Sequence, residues 1–139
     1  MANIHDIAAR IVAQFNDGIS TMKLQKLTFL AHGWSLALRQ VPLTEEPFVL
    51  WKSGPVSKTL HEVHQNQYTI YTWNGNPNDL SKEEAIIIDA VVRQYGALSG
   101  PQLKEVVNKN ATWADLNGTS SQLFVDEIAQ HFTRTLIKT

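Results

Sequence analysis

Apolar residues recur every three or four positions at Ile4, Ile7, Ala8, Ile11, Val12 and Phe15, the spacing of one helix face. Asn3 is placed to cap that helix, with Asp6 three residues on, and Gly18 to stop it. A longer stretch, Ser20 to Gln40, carries Leu24, Leu27, Ala31, Trp34 and Leu38 as a stripe, widened by Phe29, Leu30 and Leu36. A helix apolar over so much of its circumference is predicted to be central, with neighbours on several sides. It opens on "KLQKL", with Lys23 and Lys26 one turn apart. These lysines are expected on the side away from Leu24 and Leu27, lying along the apolar surface with their ammonium groups at a rim.

The period then shortens. "VPLTEEPF" reads as a loop, and Phe48–Lys52 as a short strand. Gly54-Pro55 is expected to end the strand and pre-set a helix from Pro55 or Val56 to Asn66. That helix would bury Val56, Leu60 and Val63 and leave His61 and His64 at the surface, with Trp51 packed behind the turn. Tyr68–Trp73 is a second strand candidate closed by Asn74-Gly75, and the two strands are expected to pair. Ser81 with Glu84, and Ser99 with Gln102, form capping boxes, with Leu80 and Leu98 as the staples. The first of these helices carries Ile86, Ile87, Ile88, Val91, Val92 and Tyr95; the second ends near Asn108–Asn110. A short helical turn follows Thr112, and a last helix from about Ser121 to Ile137 would bury Leu123, Phe124, Ile128, Phe132 and Leu136. The fold class is mainly α (α+β): five to six helices and a small two- or three-stranded β-element around residues 48–73.

Composition narrows the function classes. A length of 139 residues fits one domain over 1–139, long enough for a core without staples. There is no cysteine, which fits a reducing cytoplasm. Twelve basic against 13 acidic residues leave a net charge of −1, without the basic excess of a nucleic-acid binder. No apolar run is long enough to span a bilayer, and the first residues do not form a signal peptide. "HEVH" places His61 and His64 three apart, one residue short of the H-E-x-x-H motif and without a third ligand, so no metal or cofactor is expected. There is no G-x-S-x-G elbow and no phosphate-cradling glycine loop, and no catalytic residue stands out. Leu98–Leu116 faintly has the outline of a helix-turn-helix, but its second half offers Trp113, Asp115 and Leu116 and no arginine, so scaffold helices are the better reading.

The ordered set of motifs carries more than any one of them. "ISTMKLQKLTFLAHGWSLA" (19–37) is followed by "VPL" (41–43), "LWKSGPVSKTLHEV" (50–63) and "YGALSGPQLKEVVNKNATW" (95–113). This order resembles the Panacea domain family of SocA-like antitoxins and GepA-type phage-associated proteins. The family pattern runs K-L-Q-K-L, G-x-P-L, A-W-x-x-G-P-V, then a late L-S-x-x-L segment ending in T-H-x-x-x-P-W. The chain departs from it at Leu50, at Val107-Asn108 in place of Thr-His, and at Thr112 in place of Pro. The resemblance implies a cytoplasmic protein, not an enzyme, that binds and neutralises a toxin encoded nearby, with presentation to a AAA+ protease in one class of members. No direct nucleic-acid or membrane contact is implied. Mapped on this sequence, the expected partner-binding residues are Lys23, Gln25, Lys26, Lys52, Ser53, Gly54, Pro55 and Lys58, and the structural ones Leu24, Leu27, Trp34, Trp51, Val56 and Trp113. Two other readings stay open: a phage accessory protein that binds a host factor, and a small enzyme with a site between the KLQKL helix and the WKSGPV turn.

Overall fold

The computed structural model describes residues 1–137. Among them the chain forms six α-helices: α1 (Ile4–Val12), α2 (Thr21–Arg39), α3 (Lys58–His64), α4 (Lys82–Tyr95), α5 (Gly100–Asn108) and α6 (Val125–Phe132). Five short strands accompany them: β1 (Ile19–Ser20), β2 (Phe48–Trp51), β3 (Gly54–Val56), β4 (Thr69–Ile70) and β5 (Gln122–Leu123). The expected mainly α architecture with a small β-element is what the chain adopts.

Local signals decide the helix starts. Asn3, Ser20, Ser57, Ser81 and Ser99 each accept a backbone N–H of the first turn. Both capping boxes close in both directions, Ser81 with Glu84 and Ser99 with Gln102. α2 is the axis of the fold, with α1, α4, α5 and α6 all packed on it. Leu24, Leu27, Phe29, Leu30 and Ala31 are buried around its whole circumference. Gly33 lets α6 come close, since a Cβ there would stand 2.2 Å from the Phe132 ring.

The sheets correct several expectations. β2 pairs antiparallel with β3 on one side and β5 on the other, whereas β4 pairs with β1. The stretches around 48–52 and 68–73 therefore do not pair with each other. Pro55 does not open a helix: it lies in β3 opposite Leu50, and α3 starts only at Lys58, capped by Ser57. The backbone explains why proline is tolerated there. Leu50 turns its N–H to Ser121 O and its carbonyl to the N–H groups of Gly118 and Ser120, all on the β5 side. The missing proline N–H is therefore not needed by the ladder, as befits an edge strand. The same return of chain 118–123 along β2 takes Leu123 into a strand, so the last helix begins at Val125 and Phe124 is left exposed. Leu38, Ile86 and Val63, placed on core stripes by spacing, are exposed as well. Trp34 is half-buried against Tyr95, and Trp113 is fully buried.

The turn between β2 and β3 depends on Gly54. Its φ is +109°, a region L side chains rarely adopt, and a Cβ there would meet Asn108 Oδ1 at 2.9 Å. Asn108 Nδ2 donates to Ser53 O at 3.3 Å and so clamps the turn onto the end of α5. Gly54→Val is expected to lower stability by about 1–3 kcal/mol, read as a lower urea midpoint with an unchanged slope.

Candidate functional site

The KLQKL segment and the WKSGPV hairpin meet at one cleft of about 270 Å³. α2 supplies Gln25 and Lys26, β2 and the turn supply Trp51 and Ser53, and α3 supplies His61 and His64. Strand alternation presents Trp51 to the cleft: Phe48 and Leu50 point into the core, so Val49 and Trp51 face the other way. Trp51 is thus half-buried at the cleft and not packed in the core. Its indole meets the His61 ring edge-on, with centroids 4.7 Å apart.

Gln25 is buried and works as a backbone surrogate. Its Oε1 accepts the Ser57 N–H at 2.9 Å and its Nε2 donates to the Ser57 carbonyl at 3.0 Å. The same Nε2 lies 3.0 Å from His64 Nε2. With Gln25 Nε2 as the donor, His64 Nε2 is the acceptor and the ring is the neutral Nδ1–H tautomer. Burial, and then the neighbouring His61, lower the His64 pKa and favour that state. His64 is therefore a buried strut of the cleft wall, and the expectation of a surface histidine is corrected.

Lys26 is corrected too. Its side chain is completely buried, on the same footing as Leu24 and Leu27. Nζ donates to the Pro55 carbonyl at 3.2 Å and reaches the Ser53 hydroxyl at 3.5 Å. Burial lowers its pKa to about 7, with the positive charge of Lys104 acting in the same sense. Lys23 goes elsewhere: Nζ donates to the Gly96 carbonyl at 2.5 Å, just past the end of α4, and sits over the Phe15 ring. The two lysines one turn apart thus serve different contacts.

Of the expected partner-binding residues, the fold brings Gln25, Lys26 and Ser53 into the cleft. Pro55 joins them through its carbonyl, while Gly54 and Pro55 are themselves buried. Lys52 and Lys58 are exposed and do not line the cleft. Trp51, His61 and His64 were not assigned to a partner surface by sequence reasoning; the outward position of Trp51 in a strand with alternating burial was the available signal for it. Among the described residues no group of three or more His, Cys, Asp or Glu could hold a metal ion. No described helix is long and apolar enough to cross a membrane.

The profile of the family described as "Antitoxin SocA-like, Panacea domain" matches residues 24–114. No curated protein and no solved structure matches the chain. The matched stretch contains every residue that lines the cleft except Thr21 and Met22. It also contains Asn108, which holds the hairpin turn. With well over half of its residues matched, the chain belongs to the SocA-like Panacea antitoxin family.

Proposed function

We propose that the protein is a cytoplasmic antitoxin that neutralises a cognate toxin encoded beside it, and that the toxin docks at the Trp51 cleft. Family membership supports the antitoxin role. The observation that carries the site is Trp51, held half in the open by strand alternation in a cleft built from the matched segments. Tryptophan and tyrosine dominate interface hot spots. Exposed Tyr68 follows directly on the lining residues Gln65, Asn66 and Gln67. The action is binding and not chemistry on a substrate; delivery of the bound toxin to a AAA+ protease extends the same reading, and toxin half-life in cells with and without the antitoxin measures it.

Co-expression with the product of the neighbouring gene, scored by growth and by co-purification, tests the reading. Trp51→Ala is expected to weaken the complex by about 2–4 kcal/mol, roughly 30- to 1,000-fold, as for an interface anchor. Its stability should fall by only about 1–2 kcal/mol, because the side chain leaves a partly open site. Wild-type affinity in the variant would remove the cleft from the interface. Absence of any complex with the wild type would remove the antitoxin reading itself.

A further inference from the structure

Lys26 poses a problem that the fold does not solve internally. Its ammonium is fully buried, yet its two partners are neutral oxygens, one of them at 3.5 Å. Among the described residues the one ion pair is Arg10–Asp89, formed between α1 and α4. A buried ammonium is normally paired, because neutral acceptors do not repay its lost hydration. The surroundings add to the imbalance. The lining of the cleft contains Lys26, His61 and His64 and no acidic side chain, although the chain as a whole carries 13 acidic residues. Lys104 of α5 acts on Lys26 with like charge.

We propose that the cleft receives an aspartate or glutamate side chain of the bound partner, whose carboxylate supplies the counter-charge that Lys26 lacks. This rests on the reading of the protein as a toxin-binding antitoxin. Size favours a side chain over a free metabolite: about 270 Å³ lies below the roughly 300–1,000 Å³ of pockets that enclose drug-sized ligands. The walls fit as well. Met22, Val56 and the Trp51 indole offer apolar contact for the methylene stem, and Lys26 stands as the buried cation beneath. In the free protein burial lowers the Lys26 pKa to about 7; a carboxylate beside it favours the ammonium, so docking and protonation of Lys26 support each other.

The test follows Lys26 directly. In protein labelled with ¹³C-lysine, the Lys26 Cε resonance is the one missing from Lys26→Met, and its pH titration is recorded alone, with acetate, with inorganic phosphate and with the toxin. Toxin is expected to raise the Lys26 midpoint by about two pH units or more, a hundred-fold gain in proton affinity. Acetate is expected to raise it in part. Replacing the responsible toxin acid by its amide should abolish the toxin-induced rise. A toxin that binds while leaving the Lys26 midpoint unmoved overturns the proposal and leaves the antitoxin reading standing. Phosphate that displaces the toxin at matched ionic strength also overturns it, because the ligand is then a free anion. A wild-type protein that binds no toxin ends the antitoxin reading, and the partner carboxylate falls with it, whatever acetate does.

Discussion

Phe29→Ala is expected to remove about 3–5 kcal/mol, a large part of the roughly 5–15 kcal/mol that holds a domain of this size together. Phe29 is fully buried on α2 and its ring is the hub of an aromatic cluster. Phe48 of β2 lies 5.2 Å away, Trp113 from the turn after α5 lies 5.7 Å away, and Phe132 of α6 lies 5.7 Å away. The Phe48 and Trp113 contacts are edge-to-face, the geometry that adds about 0.5–1.5 kcal/mol beyond burial alone. One truncation therefore loosens the sheet, the α5 turn and the C-terminal helix at once. The cavity cannot collapse easily, because its walls belong to elements held by their own ladders and caps. Thermal unfolding should shift down by roughly 10–15 °C, while Phe29→Leu, which keeps most of the volume, should cost less than about 2 kcal/mol. Equal midpoints for Phe29→Ala and wild type would show that the aromatic cluster does not organise the core.

The features legible in the sequence are those decided by neighbours along the chain. A serine three residues before Glu84 or Gln102 has its hydrogen-bond partner within one turn, so the capping boxes could be read without knowing the fold. The central position of α2 was equally readable, since a helix apolar all round has to be surrounded. Strand pairing was not. Ile19–Ser20 and Thr69–Ile70 make a two-residue ladder that no local pattern marks, and β5 finds β2 only after 118–123 has been turned back. Gly54-Pro55 carries the signal of a helix start and of an edge-strand turn alike; the direction of the Leu50 hydrogen bonds chose the second. The site was half legible. Order and spacing bring KLQKL and WKSGPV together, but a lysine by its type points to solvent. Had the all-round burial of α2 been applied to its own first turns, Lys26 would have been placed inside.

That buried position makes Lys26 the group whose replacement should change the pH dependence of stability most. Its pKa falls from 10.5 to about 7 on folding, chiefly through burial. Above about pH 10.4 the amine is neutral in both states and burial of charge costs nothing. As pH falls through the window from 10.4 to 7, the unfolded chain takes up a proton that the folded one refuses. Stability is lost at about 1.4 kcal/mol per pH unit across that window, on the order of 5 kcal/mol in all. Below pH 7 the loss is complete. Lys26→Met carries no such proton. Measured by urea unfolding from pH 6 to pH 10, wild type is therefore expected to gain stability relative to Lys26→Met steadily above pH 7. At pH 6 the variant should be the more stable of the two, since Met buries no charge whereas the ammonium is held only by neutral oxygens. Lys26→Arg supplies the opposite control: a guanidinium cannot escape by losing its proton, so that variant should fall further behind wild type as pH rises, and furthest at pH 10. Parallel curves for wild type and Lys26→Met over this range would mean that Lys26 stays charged in the folded protein and has found a counter-charge. A lysine that destabilises the free protein at neutral pH and yet lies beneath the proposed docking cleft is one whose cost is offset in the complex and not in the fold.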